Sequence, residues 1–375
     1  MNTVKILHCA DIHIGAAESF LKTNAESRRM ETLLTFERII DLSISKGVEI
    51  IAIAGDLFDS NKVSDRFIDA VLKKIGESGI KTVFAAGNHD PLDAESPFLT
   101  RDIPDNLFIL GTEDECITFE DLKVKVYGRS FGSAFLQGKT AFTLESDKDY
   151  VNLMVQHGDL CSDLSSDYNA ITPSFVKKSS MDYIALGHVH KRTPIGNIEN
   201  TYFAYCGCPE GQGFDELDEK GVYIGEIGKG VCKLEFMPVS KRQHIHHKSD
   251  ITSHSGNDEI SRAVTNELRE KYGDSFADNL YKIELTGAVS PETVLDTAEI
   301  ESRLGEILYF VKCKDSTEYS VDLNALSTEK SLKGIFVKKM LEKEKNCDPS
   351  QLATIKQALK LGLKAFNTEV KYNED

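Results

Sequence analysis

No run in these 375 residues approaches the ~18 consecutive apolar residues of a membrane-spanning helix. No cationic stretch precedes an apolar one near the start, where Asp11 arrives almost at once, so a secretory leader is not expected either. Cysteine pairs are scarce. Of the eight cysteines (9, 116, 161, 206, 208, 232, 313 and 347), only Cys206 and Cys208 lie close together, and no second pair completes a zinc cage. Reduced thiols are therefore expected, with Cys9 and Cys232 read as small buried residues. Internal repeats and low-complexity tracts are also missing. A surplus of positive charge is absent too: the net charge of −16 argues against a broad basic groove for nucleic acid. It leaves room for a phosphodiester substrate, because bound divalent ions or a partner could supply the local positive charge.

What remains is an ordinary globular composition, 41% hydrophobic and 28% charged, with length for roughly two or three domains. A soluble cytoplasmic protein is the expectation. Strand-like Val4 to Cys9 leads to a helical stretch from about Glu26 to Lys46, with Leu33, Phe36, Ile39 and Ile40 at helical spacing and Gly47 as its stop. A strand from Glu49 to Ala54 breaks at Gly55. Ser64 caps a helix carrying Phe67, Ile68, Val71, Leu72 and Ile75, and a third strand ends at Ala86. This strand–helix alternation predicts an α/β fold with a largely parallel sheet. After Asn106 shorter strand-like runs crowd together, which suggests a second sheet packed on the first.

Pro238 marks another change. The histidine-rich, basic stretch 241–248 reads as a polar connection, followed by a small α/β module: a helix over 257–271, strands at 280–285 and 307–313, and a helix from about Pro291 to Leu304. From Ser331 two amphipathic helices follow, broken near Cys347 to Pro349, with Leu332, Ile335, Phe336, Met340, Leu352, Ile355, Leu359 and Leu363 on their apolar stripes. The expected division is 1–240, 241–325 and 326–375.

Chemistry concentrates where the strands end, as expected for open α/β sheets. The first tip supplies Asp11 and His13 and the second Asp56 and Asp59. The third is Gly87-Asn88-His89-Asp90, with Gly87 read as the residue that permits the sharp turn. Later tips give His157-Gly158-Asp159 and Gly187-His188-Val189-His190. Two residues apart on extended chain, Asp11 and His13 could reach one ion, as could His188 and His190. One strand-end aspartate is usually a turn or cap, and one histidine usually a satisfied surface group. Five such tips in series exceed that explanation, though Asp59 and Asp159 individually fit a capping role as well as a supporting one. Mixed oxygen and imidazole ligands suit Mn²⁺, Fe²⁺ or Zn²⁺ better than ions that prefer all-oxygen shells.

The order D-x-H, GD-x-x-D, GNHD, lone His, GH-x-H over about residues 5 to 190 resembles the calcineurin-like metallophosphoesterases. The segments LHCADIHIG, AGDLFDS and HVHKR are most similar to SbcD-type DNA repair exonucleases, in particular the bacterial YhaO-like branch. The resemblance implies a four-layer αββα sandwich with a small α/β capping module and a helical C-terminal tail. It also implies two divalent ions, Mn²⁺ first, with Fe²⁺, Zn²⁺ or Mg²⁺ as the other candidates. Asp11, His13, Asp56 and His190 would hold one ion; Asp56 would bridge to the second, completed by Asn88, His157 and His188. His89, supported by Asp90, would be the catalytic acid or transition-state stabiliser. Archaeal and eukaryotic relatives often carry a histidine after GDLF. This chain has Asp59, as bacterial SbcD-type proteins do, so that substrate-positioning role is not carried over, and no substrate-binding residue is assigned.

The resulting expectation is DNA phosphodiester hydrolysis, exonuclease or endonuclease, by a hydroxide activated between two metals. Two divalent ions and two carboxylates would leave the site roughly +2 and attractive to a phosphodiester. DNA, double-stranded or at ends, an SbcC-like ATPase recruited by the C-terminal helices, and a second copy of the chain are the expected partners; a membrane is not. Competing readings are a phosphodiesterase for small nucleotides, a phosphoprotein phosphatase and a non-catalytic scaffold. Phosphatases usually show Arg-Gly where Ser60-Asn61 stands, and the intact ligand set argues against a silent scaffold.

Overall fold

The protein is described by a computed structural model covering residues 2–366 apart from 17–20, 22–23, 138–141, 143, 291–294 and 321. Two compact units, Met1–Gln243 and His244–Asp375, divide the chain. The first contains, in order, β1 (Thr3–Cys9), α1 (Ala25–Lys46), β2 (Ile50–Ile53), α2 (Asp65–Ser78), β3 (Lys81–Phe84), β4 (Leu107–Ile109), β5 (Glu115–Phe119) and β6 (Val124–Arg129). It continues with β7 (Val151–His157), α3 (Pro173–Ser179), β8 (Tyr183–Gly187), β9 (Gly196–Ile198), β10 (Thr201–Tyr205), β11 (Gly221–Gly228) and β12 (Val231–Pro238).

Two six-stranded sheets form, in the orders β12-β11-β1-β2-β3-β4 and β5-β6-β7-β8-β10-β9. Strands β1 to β4 run parallel, as do β6, β7, β8 and β10, so several loops open at one strand end. Alternating residues explain the layering. Leu7, Ile51, Ile53 and Phe84 face Phe36, Ile39 and Ile40 of α1 and Phe67, Val71 and Ile75 of α2. Their neighbours Ile6, Ile50, Ala52 and Val83 pack against Val126, Leu153, Val155 and Ala185 of the second sheet. On that sheet's other face Met154, Ile184 and Leu186 meet Val176 of α3. The result is the αββα sandwich. With both faces covered, the central strands read as nearly continuous apolar runs.

Not every short strand after Asn106 joins a second sheet. β4, β11 and β12 extend the first one, the last two as an antiparallel hairpin beside β1. A buried ionic cluster braces that side. Arg28 of α1 donates to Glu31 (3.0 Å), Glu210 (2.9 Å) and the Gly211 carbonyl (2.7 Å), while the Arg242 guanidinium grips Glu31 at 2.7–3.0 Å.

The second unit contains β13 (His244–Asp250), α4 (Asn257–Tyr272), β14 (Leu280–Thr286), β15 (Ala288–Val289), α5 (Thr297–Gly305), β16 (Phe310–Asp315), β17 (Glu318–Tyr319), α6 (Leu323–Ser327), α7 (Leu332–Lys345) and α8 (Leu352–Ala365). β13, β14 and β16 form a parallel sheet. The stretch read as a polar connection is therefore mostly strand. His244, Ile245, His247 and Ser249 turn inward and His246, Lys248 and Asp250 outward, an alternation that a count of apolar residues misses because only Ile245 is apolar. Helix α5 starts at Thr297, capped by Asp296, which accepts N–H bonds from Ala298 and Glu299; residues 291–294 of the expected helix lie outside the described residues. Val337, Leu359 and Leu363 pack α7 against α8, leaving Leu332 78% and Ile335 53% exposed. Residues 367–375 of the expected C-terminal segment lie outside the described residues.

Candidate metal centre

Every strand tip named from the sequence contributes to one cluster. The 11–14 loop runs beside 55–57: the Asp11 N–H donates to the Gly55 carbonyl (3.0 Å), those of Ile12 and His13 to Asp56 (2.9 and 3.0 Å), and that of Ile14 to Leu57 (2.9 Å). Asp11 and His13 do not share one side of an extended chain, as their spacing suggested. Both are left-handed, with φ of 53° and 50°. Asp56 (51°) and His188 (100°) share that sign. Such conformations cost energy in non-glycine residues and persist where surroundings over-determine them.

Gly87 has a different task from the one expected. It is not among the glycines with positive φ; it is required because a Cβ there would collide with Asp56 Oδ1 and lie 2.7 Å from the Asp56 nitrogen. Gly55, at φ +91°, similarly leaves room for the His157 ring. The β3 tip is pinned by Ser130, whose hydroxyl accepts from the Ala86 N–H (2.8 Å) and donates to the Leu110 carbonyl (2.6 Å).

Five nitrogen and oxygen edges define the cluster. His13 Nε2 faces His190 Nε2 at 3.1 Å. Asn88 Oδ1 lies 3.0 Å from His157 Nε2 and 3.2 Å from His188 Nδ1. Asp56 Oδ2 lies 3.4 Å from His157 Nε2 and 3.7 Å from His13 Nε2, between the two groups. Donors about 2.1 Å from a common ion sit about 3.0–3.4 Å apart, so four of these edges fit coordination shells directly, and Asp56 Oδ2, 3.4 Å from one group and 3.7 Å from the other, adjoins both. Asp11 gives the sharper test. It is fully buried and its Oδ2 has no hydrogen-bond partner, while Oδ1 accepts the His188 N–H at 2.9 Å. Burial pushes this carboxyl up to about 8, and the nearby Asp56 charge adds to the rise. A cation would answer both deficits. The ligand set Asp11, His13, Asp56, His190 and Asp56, Asn88, His157, His188 therefore fits a dinuclear site.

Supporting groups fix the imidazoles. His157 Nδ1 donates to the Ala54 carbonyl (2.9 Å), leaving Nε2 directed at Asn88 and Asp56. Burial depresses His157 to about 4, which keeps the ring neutral. Tyr205 accepts the Leu160 N–H (2.6 Å) and donates to the Gly158 carbonyl (2.7 Å), clamping the turn after His157. Asp159, left between two roles by the sequence, has one oxygen 3.4 Å from His188 Nε2 and accepts from the Ser166 hydroxyl with the other.

Sequence reasoning missed Glu216. Its Oε1 is 2.5 Å from His190 Nδ1, and its Oε2 accepts the Gln212 N–H at 2.8 Å. Burial disfavours the charged forms, but the mutual bond wins: Glu216 falls to about 2 and His190 rises to about 9 in the metal-free chain. Carboxylates behind metal-ligating histidines hold ring orientation and basicity in this way. Only the acidic run around Asp215 to Glu219 hinted at it, and such runs are usually solvated surface.

Asp90 stands where expected but touches different groups. Its oxygens accept N–H bonds from Gly87 (2.8 Å), Asp56 (3.2 Å), Leu57 (2.7 Å) and Phe58 (3.0 Å), so it ties the second and third tips together. The group beside His89 is instead Asp59, whose carbonyl lies 3.1 Å from His89 Nδ1. The His89 backbone N–H donates to Asp56 Oδ1 (2.9 Å), while its ring is half-exposed at the rim, 4.7 Å from that of His13.

Residues 4–192 match the calcineurin-like phosphoesterase family model. The uncharacterized metallophosphoesterase YhaO of Bacillus subtilis is 28% identical over 63% of this chain and 60% of its own length. DNA double-strand break repair protein Mre11 of Methanopyrus kandleri is 25% identical over 63% and 57% respectively, and that of Thermoplasma acidophilum 26% over 77% and 78%. The chain spans about three fifths of the length of the first two relatives. No described helix is long and apolar enough to cross a membrane.

Proposed function

The chain belongs to the calcineurin-like phosphoesterase family, and from that premise we propose that it hydrolyses phosphodiester bonds in DNA. The observation that carries this reading is the convergence of seven donor side chains on two adjoining positions, with His89 at their rim and not among them. Two divalent ions, Mn²⁺ foremost for so mixed a donor set, would supply Lewis acidity and lower the pKa of a nucleophilic water. The chain's residues do the rest. Asp56 joins the two donor groups, and Asp11 and Asp56 offset part of the cationic charge. With Nδ1 donating to the Asp59 carbonyl, His89 presents Nε2 outward, where it can hold a proton for the leaving oxygen. Asp90 orients His89 indirectly, by fixing the loop at Asp56 to Phe58.

DNA as substrate is supported by the names of the Mre11 relatives. With a net charge of −16, affinity would come from the metals, a second copy of the chain, and an SbcC-like ATPase held by the helices after Ser331. The same charge favours a second reading, hydrolysis of a small nucleotide phosphodiester.

The test compares double-stranded DNA, single-stranded DNA, a cyclic nucleotide and a phosphomonoester, each with Mn²⁺ and Mg²⁺, using the intact chain and His89→Asn. DNA cleavage that falls about 10²–10⁴-fold in the variant at unchanged metal content is expected. Exclusive turnover of the cyclic nucleotide would favour the second reading. Full activity of His89→Asn would refute the role of His89.

A further inference from the structure

Three aromatic rings lead away from the metal centre. The Tyr168 ring lies 4.7 Å from that of His188, tilted by 31°, and the Phe135 ring lies 5.8 Å from Tyr168, tilted by 37°. The inner ring belongs to a donor of the centre; the outer one is 57% exposed and carries no polar atom.

The loops bearing the outer two rings are fastened to each other. The Leu136 N–H donates to the Asp167 carbonyl (2.9 Å), the Asn169 N–H to the Leu136 carbonyl (2.8 Å), and Gln137 Nε2 to Asp167 Oδ1 (2.8 Å). The assembly is tied in turn to the centre. Asn169, left-handed at φ 53°, donates to the His157 carbonyl (2.8 Å) and accepts from Arg129 (2.9 Å). A loop held this firmly needs little further ordering when something stacks on the ring it carries.

We propose that Phe135 is the outer face of a stacking platform for the nucleobase next to the scissile phosphate. The occupant follows from position. Two ring separations from a donor of the metal centre, a flat group covering Phe135 would be part of the same molecule as the phosphoester. A flat apolar face with no hydrogen-bonding atom accepts any base, so the platform binds nucleic acid without reading its sequence. It supplies on the His188 side the affinity that an acidic surface withholds. The inference rests on the nucleic-acid reading above and narrows it, because a phosphoester lacking a base would gain nothing from Phe135.

The chain has no tryptophan, so Phe135→Trp provides a single indole reporter at the site. In a His89→Asn background loaded with Mg²⁺, a short single-stranded oligonucleotide is expected to quench this fluorescence. An abasic strand of equal length and charge should leave it unchanged. By anisotropy of labelled strands, Phe135→Ala should weaken base-bearing DNA about tenfold and abasic DNA hardly at all. Phe135→Tyr should restore the preference. Equal quenching by both strands, or an unaltered base preference in Phe135→Ala, would overturn the platform while leaving the nuclease reading standing. No binding of either strand by the intact chain would refute the nuclease reading and the platform together.

Discussion

A single methyl group at Gly87 should disable the metal centre. In Gly87→Ala the added Cβ would overlap Asp56 Oδ1 and come within 2.8 Å of Asp56 Cγ. The backbone can yield little, because β3 pairs with both β2 and β4 and the Gly87 N–H is bonded to Asp90 at 2.8 Å. Asp56 must swing away instead. It then loses the N–H bond from His89 at 2.9 Å, a charge-assisted contact worth about 1.5–3 kcal/mol. Residual overpacking adds about 1–3 kcal/mol. A loss of roughly 3–5 kcal/mol in a unit of this size lowers Tm by about 6–20 °C. Displacing the one carboxylate between His13 and His157 should also reduce loading at both ion positions. Gly79→Ala is the matched control, since Gly79 is left-handed at φ +64° with open space around it. It should cost about 1–2 kcal/mol in strain and leave loading intact. The assay is calorimetric melting of the metal-free chain together with Mn²⁺ titration of all three proteins. Wild-type stoichiometry and affinity in Gly87→Ala would refute the argument that this glycine exists to make room for a bridging ligand.

Two further outcomes follow from groups outside the ligand set. Glu216→Gln should weaken Mn²⁺ binding about 10- to 100-fold by releasing the His190 ring; isothermal titration checks this, and unchanged affinity would remove Glu216 from the centre. Glu31→Gln should destabilise the chain by about 3–5 kcal/mol at pH 7, because Arg28 and Arg242 lose a buried anion. Burial alone would raise the Glu31 carboxyl, but Arg242 and Arg28 outweigh it and hold the group below its ordinary value. This contribution is therefore fully present above the unfolded pKa and lost as pH falls through the folded one. The gap between the two proteins in denaturant melts should close below about pH 4; a gap that widens there would contradict the sign.

The part of the molecule readable from sequence is the part where local chemistry and periodicity agree. Phe36, Ile39 and Ile40 recur at helical spacing because one face of α1 must cover a sheet, and the donors cluster at strand ends because parallel strands open their loops at one edge. β13 escaped because its inward positions are mostly histidine and serine, so its alternation is one of burial and not of hydrophobicity. β11 and β12 fall among the short strand-like runs after Asn106, but nothing local says which sheet a strand joins. The sequence also mistook why the motif residues occur. Asp11, His13 and Asp56 look like a spacing rule, yet each adopts a left-handed conformation that spacing cannot report.

That conformation shows how the fold meets the cost of its site. Asp90, read as a partner of His89, spends both oxygens on four backbone N–H groups, and two of them belong to Asp56 and Leu57. The Asp11 and His13 N–H groups are likewise taken by the carbonyls of Gly55 and Asp56. Left-handed residues at roughly 1–2 kcal/mol each are thus held by hydrogen bonds that would be lost if the loops relaxed. The strain is spread over two strand tips that brace each other, which is why a carboxylate outside the proposed ligand set can matter as much to the centre as one inside it. Asp90→Asn would put an amide donor among N–H donors at the hub of this brace. It should therefore lower metal affinity without removing a ligand, and an Asp90→Asn chain with wild-type Mn²⁺ titration would show that the brace is dispensable.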